Sequence, residues 1–200
     1  MLTKFHLLIS TLRKRKTTFS SYSKSLIELC QIILPGLILE FGPGLSTKIF
    51  LKYTNSHIIS VEQNITWYRN YKNAFPRDRV RIEFLPNGLS GTVTESLLKD
   101  YSLIFIDGGN RLEALEFGYK QISSRGAVFL HDAHREEYES GIRRYPYIFF
   151  PERHSCILTK DQSIYSTIRQ RIKIDYSCSC QYCSSPSREA YFGQFSEKLL

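Results

Sequence analysis

Ile38-Leu39-Glu40-Phe41-Gly42-Pro43-Gly44-Leu45-Ser46-Thr47 is the stretch from which the rest of the chain is read. Its first half is a short aliphatic run of the kind that forms a buried strand, and its second half opens a segment with apolar residues at helical spacing. Two glycines and a proline mark the turn between them. Glycine there lets a backbone approach a ligand closely, and the free amides at a helix N-terminus favour electron-rich groups. A tight turn capped by Ser46 or Thr47 accounts for the same residues without any ligand.

Working outward, the same alternation repeats. Strands are predicted at Leu37–Phe41, His57–Val61, Val80–Phe84, Leu103–Ile106 and Ala127–Leu130. Helices are predicted at Leu45–Tyr53, Thr66–Phe75, Thr92–Lys99 and Glu113–Ser123. Short strands alternating with longer amphipathic segments are βαβ units around a parallel sheet. The predicted fold is therefore α/β, a doubly wound, mostly parallel Rossmann-like sheet of order 3-2-1-4-5 with helices on both faces. Tyr147–Phe150 and His154–Leu158, separated by a proline-containing turn, predict a C-terminal hairpin closing it. Leu26, Leu29, Cys30 and Ile33 predict a helix across one edge of the sheet, and Leu2, Phe5, Leu8, Ile9 and Leu12 another before it. The expected division is an N-terminal basic helical extension over 1–35, a nucleotide-cofactor domain over 36–160, and a C-terminal helix with a cysteine-containing tail over 161–200.

The second strand ends in Val61-Glu62, twenty residues after Gly42. A carboxylate at that place can accept hydrogen bonds from both hydroxyls of an adenosine ribose. NAD and S-adenosylmethionine both carry that ribose. The dinucleotide fingerprint wants a third glycine near position 47, where this chain has Thr47, so a dehydrogenase is the weaker of the two readings.

Taken in order, these residues resemble the class I S-adenosylmethionine-dependent methyltransferases, through Ile38 to Gly44 with Ser46-Thr47, and through Ser60-Val61-Glu62. Leu103-Ile104-Phe105-Ile106-Asp107-Gly108-Gly109 looks like that family's fourth strand, and Gly126-Ala127-Val128-Phe129-Leu130-His131-Asp132 like its fifth. The resemblance covers about residues 25–160. It implies that Glu40 sits near the cofactor's amino group, Gly42 and Gly44 beneath its methionine arm and Glu62 on the ribose. Phe41, Ser46, Gln63 and Asp107 are implied to line the same cofactor site. Asn87 would approach the adenine, although Asn87-Gly88 also reads as an ordinary turn.

In a doubly wound sheet the carboxyl ends of strands one, four and five share a crevice, so Asp107 and His131-Asp132 should converge there. Methyl transfer from a sulfonium is an in-line displacement, and a hydroxyl acceptor also has to lose its proton. His131 is the natural base. Asp107 and Asp132 can alternatively hold Mg²⁺, as in the metal-dependent small-molecule O-methyltransferases that this pattern resembles. Those commonly carry an amide side chain after the second aspartate, where this chain has Ala133. A hydrogen-bonded pair capping the next helix also explains His131-Asp132. His134-Arg135 and Arg143-Arg144 could attract an acidic acceptor and Tyr138, Tyr145 and Tyr147 could line its pocket; surface charge and packing account for them equally.

The 200 residues, 42% hydrophobic and 23% charged, suffice for a single core that needs no disulfide or partner chain. The longest apolar run, residues 32–39, is far short of the ~20 residues that span a bilayer. The net charge of +8 is concentrated in residues 1–35, which hold six Lys or Arg against one acid. Such an arm could touch RNA or another polyanion. An acid-poor basic leader also has the composition of an organellar transit peptide, though a cytoplasmic location is expected. Cys178, Cys180 and Cys183 have the spacing to ligate Zn²⁺, with Cys156 or His154 as a fourth ligand; free thiols or disulfides are the alternative. The expected activity is methyl transfer from S-adenosylmethionine to an oxygen or nitrogen of a small or sugar-like acceptor. The competing readings are an RNA or polyanion methyltransferase and a non-catalytic binding module of the same fold.

Overall fold

A computed structural model describes residues 21–89 and 95–175. Among them are six α-helices and seven strands. In chain order these are α1 (Ser21–Ile33), β1 (Leu37–Phe41), α2 (Leu45–Tyr53), β2 (His57–Glu62), α3 (Ile65–Tyr71), β3 (Val80–Phe84), β4 (Tyr101–Ile106), α4 (Arg111–Gln121), β5 (Ile122–His131), α5 (Glu139–Ile142), β6 (Tyr147–Glu152), β7 (Ser155–Thr159) and α6 (Gln162–Arg171). The strands form one sheet of order β3-β2-β1-β4-β5-β7-β6. The pairs from β3 to β5 are parallel, whereas β7 runs antiparallel to both β5 and β6. The predicted Rossmann-like order and the closing hairpin are both present.

Strands β1 and β4 carry near-continuous apolar sequence because both of their faces are covered. Alternation along β1 sends Ile38 to one side, where it joins Tyr22, Leu26, Leu29, Phe50, Phe105, Phe129, Ile164 and Ile168 under α1, α2 and α6. Leu39 and Phe41 point to the other side and pack with Ile104, Ile106, Leu115, Val128, Leu130, Ile142 and Leu158 under α4 and α5. Helix α1 thus lies on a face of the sheet and not across an edge as its spacing alone suggested. The reason is Tyr22, which is fully buried and meets Phe105 and Phe129 at 5.7 and 6.1 Å. The core takes in Tyr22, Leu26, Leu29 and Cys30 of α1 and Ile164, Tyr165 and Ile168 of α6 as well as the sheet.

Several elements differ from expectation for local reasons. Helix α3 stops at Tyr71 and does not reach Phe75, whose ring stacks on Tyr71 at 5.8 Å from the following turn. Strand β5 begins at Ile122, where a helix end was expected, because Ile122 pairs with Tyr101 of β4. Of the helix expected over 92–99, a single 3₁₀ turn at Glu95–Leu97 is described. The helix expected through Leu2, Phe5, Leu8, Ile9 and Leu12, residues 1–20 of the basic extension, and Cys178, Cys180 and Cys183 lie outside the described residues. No helix among the described residues is long and apolar enough to cross a membrane.

Candidate functional site

Strand order reverses at β1, which has β2 on one side and β4 on the other, the place where a doubly wound sheet takes its ligand. The backbone ladder continues one residue past the strands. Gly42 N donates to Val61 O at 2.9 Å, and Asp107 N donates to Phe41 O at 3.0 Å. Gly42, Glu62 and Asp107 are thereby fixed side by side at the carboxyl ends of β1, β2 and β4.

The two glycines of the turn have different surroundings. Gly42 has φ +93°, a conformation that suits glycine, and a Cβ there would lie 3.2 Å from the backbone of Gly108. It is the contact that lets the β1 and β4 loops approach each other. Gly44 is different, since a Cβ there would meet nothing within 4 Å. Its amide donates to Thr47 Oγ1 at 2.9 Å, at the start of α2. The N-terminus of α2 therefore has open space beside Gly44.

Glu40 is fully buried, on the α2 side of β1. Its carboxylate accepts from Ser46 Oγ at 2.5 Å, from Thr47 Oγ1 at 2.7 Å and from Ser60 Oγ. Burial pushes its pKa up to about 7, against the pull of the three hydroxyls. Ser46 accordingly points inward at Glu40, and Phe41 packs edge-on against Phe117 at 6.4 Å in the core. Glu62 is half-buried at the end of β2, where its Oε1 accepts from Asn64 N at 2.7 Å. The Gln63 amide lies against Gly88 and Gly109, whose Cβ positions fall 2.8 Å from it. Asn87 is exposed in the turn after β3, next to Gly88 at φ +68°.

Asp107, His131 and Asp132 lie together at the ends of β4 and β5. His131 Nδ1 is 2.8 Å from Asp107 Oδ1. Burial works to lower the pKa of this imidazole, but its hydrogen bond to Asp107 and the charges of Asp107 and Asp132 prevail and hold it above the ordinary histidine value. Sequence reasoning missed Arg111, which stands between the two aspartates. Its Nη2 donates to Asp107 O at 2.9 Å and Oδ1 at 3.1 Å, and its Nη1 donates to Asp132 Oδ2 at 2.7 Å. Burial would raise the Asp132 carboxyl, yet the charges of His131, Arg111 and Arg135 bring it below the usual carboxylate range. An arginine in the first turn of a helix opposes the helix dipole, and that mismatch was the available signal of an anionic partner nearby. Tyr22 was also missed; its ring lies 4.9 Å from that of His131.

The remaining candidates separate into structural and local ones. Tyr145 is buried and donates to Leu115 O at 3.0 Å, while Tyr147 stacks on Tyr165 at 5.3 Å, so both are packing residues. Tyr138 lies under the Arg111 guanidinium at 5.9 Å. Arg135 pairs with Asp132 at 3.2 Å, Arg144 with Glu116 at 3.2 Å and Arg143 with Glu139. Cys156 is fully buried inside β7 among core side chains, where burial raises its thiol pKa. His154, in the β6–β7 turn, places Nδ1 3.2 Å from Nδ1 of His134.

No family model matches the sequence, and no curated protein matches it. The fold is that of solved methyltransferases. The chain aligns with a methyltransferase from Geobacter sulfurreducens at TM-score 0.55 and 17% identity, over 78% of this chain and 87% of that one. It aligns with an O-methyltransferase from Bacillus cereus, solved in complex with SAH, at TM-score 0.53 and 19% identity, over 65% and 72% of the two chains. A TehB-like SAM-dependent methyltransferase from Corynebacterium glutamicum gives TM-score 0.53 and 15% identity, over 80% and 97%.

Proposed function

We propose that this protein transfers a methyl group from S-adenosylmethionine to an oxygen or nitrogen of a small or sugar-like acceptor. The observation that carries the reading is the fixing of Gly42, Glu62 and Asp107 side by side at the carboxyl ends of β1, β2 and β4, with open space around Gly44 at the start of α2. An adenosyl ligand fits that donor set. The amide end of α2 and Gly44 would hold its amino-acid arm, and the Glu62 carboxylate its ribose hydroxyls. Gln63, lying over Gly88 and Gly109, would border the adenine. Glu40 would act through Ser46 and Thr47, fixing the pitch of the turn, because its own oxygens already accept three hydroxyls.

S-adenosylmethionine supplies the electrophilic methyl when bound. The chain's own part is to align the acceptor and to take its proton. Asp107 accepts from His131 Nδ1–H, which leaves the Nε2 lone pair to receive that proton. Arg111 holds Asp107 and Asp132 in place and supplies the positive charge between them. That guanidinium favours metal-free chemistry at the Asp107–Asp132 pair over the Mg²⁺ alternative, because the space between the carboxylates already has a cation in it.

The test is a screen of a metabolite extract for products labelled from methyl-labelled S-adenosylmethionine, with and without Mg²⁺. Labelled product of equal yield in both arms is expected. Absence of any labelled product, with cofactor shown to bind, would favour the binding-module reading.

A further inference from the structure

His134 follows β5 by three residues and His154 stands in the β6–β7 turn. Both imidazoles are buried, at 8% exposure, and their rings meet at 85° with Nδ1 3.2 Å from Nδ1. Asp132 completes a set of three ligand atoms that all lie within 4.8 Å of one another. We propose that Asp132, His134 and His154 bind a borderline divalent transition-metal ion, Zn²⁺ fitting best, which ties the β6–β7 hairpin to the end of β5.

Distance supports the assignment first. Metal–nitrogen bonds of ~2.0–2.1 Å in tetrahedral geometry separate two ligand atoms by about 3.3–3.4 Å. The two imidazole nitrogens, at 3.2 Å, need almost no movement to meet that. The carboxylate oxygen lies within 4.8 Å of both nitrogens and has further to come.

Backbone holds the site from two sides. Leu130 and His131 pair with Cys156 and Ser155 across the sheet, and Ala133 N donates to His154 O at 2.9 Å. The histidines are thus presented by two segments that are already locked together.

The donor set then selects the ion. Two neutral imidazoles and one carboxylate suit Zn²⁺ or Co²⁺, whereas Mg²⁺ and Ca²⁺ take oxygen ligands. Asp132 Oδ2 is held by Arg111 and Arg135, at 2.7 and 3.2 Å, while Oδ1 lies 3.9 Å from His131 Nδ1. A ligating carboxylate whose other oxygen is hydrogen-bonded is the usual outer-shell arrangement. Both guanidiniums oppose a cation, so affinity falls to the imidazoles and not to net charge. Three protein ligands leave a fourth position open to water.

The test uses the full chain with Cys178→Ser, Cys180→Ser and Cys183→Ser, so that those thiols cannot take the ion. Stripped of metal by chelator and titrated with Co²⁺, it should develop tetrahedral visible absorption that saturates at one equivalent, is displaced by Zn²⁺ and is unaffected by Mg²⁺. His134→Ala and His154→Ala should each weaken Co²⁺ binding by ~100-fold or more, beyond the 10–100-fold typical of outer-shell changes. Absence of the band, or a band undiminished in both variants, overturns the proposal and leaves an imidazole–imidazole hydrogen bond in its place. Should either variant fail to fold, X-ray absorption of the Co²⁺-loaded parent decides: two imidazoles in the first shell support the site, and fewer overturn it.

Discussion

The same substitution at two neighbouring glycines should have opposite consequences. At Gly42 an alanine must adopt φ +93° and place its Cβ 3.2 Å from the backbone of Gly108, which has no flexible end to yield. A left-handed alanine costs ~1–2 kcal/mol, and displacing the β4 loop adds to that. Gly42→Ala should therefore lose about 2–3 kcal/mol, or roughly 4–12 °C in Tm for a chain of this size. At Gly44 the backbone is extended, at φ 178°, and the new methyl meets nothing within 4 Å. The cost of Gly44→Ala is confined to replacing a good N-cap residue by a poor one, ~1 kcal/mol or less. Yet its methyl enters the open space proposed for the cofactor's amino-acid arm, so affinity for S-adenosylhomocysteine should fall ten-fold or more, ~1.4 kcal/mol. Differential scanning calorimetry paired with isothermal titration reads both quantities. Gly44→Ala protein that is stable and binds S-adenosylhomocysteine like the parent would refute that placement of the amino-acid arm.

Two further predictions concern buried charge and catalysis. Glu40 has its pKa raised to about 7 from an ordinary 4.5, so between those pH values the folded state keeps a proton that the unfolded chain has released. Stability from this group is present at low pH and is lost as pH rises through that window, about 3 kcal/mol in all at ~1.4 kcal/mol per unit. Urea unfolding at several pH values should show Glu40→Gln lacking this loss, and parallel curves for the two proteins would contradict it. Once the acceptor has been identified by its label, His131→Ala should lower kcat by about 10²–10⁴-fold and leave S-adenosylhomocysteine affinity intact. Equal loss of both would make His131 a structural residue packed against Tyr22.

Much of the sheet was legible because buried parallel strands leave near-continuous apolar runs, as in Ile104-Phe105-Ile106 and Val128-Phe129-Leu130. Strand β5 was only half legible. Its opening Ser123-Ser124-Arg125-Gly126 has little strand preference and is placed by the pairing of Ile122 with Tyr101. Helix α3 was overdrawn for the opposite reason, since Trp67, Tyr71 and Phe75 keep a four-residue spacing as a stack of rings that outlasts the helix. In the site, Gly42 and Glu62 could be read from their separation because strand and helix lengths fix it. Arg111 could be read only as far as its place in the first turn of a helix, which signals an anionic partner without saying that the guanidinium turns back onto both aspartates. The inward aim of Glu40 was readable in principle, for Ser46, Thr47 and Ser60 are three hydroxyls waiting for one buried acceptor.

Calorimetric titration of the full chain with S-adenosylhomocysteine and, separately, with NAD bears most directly on the carboxyl ends of β1, β2 and β4. A single saturable site for S-adenosylhomocysteine, weakened by Glu62→Ala, and no heat with NAD are expected. Binding of NAD alone, or S-adenosylhomocysteine affinity indifferent to Glu62, would contradict the proposed function.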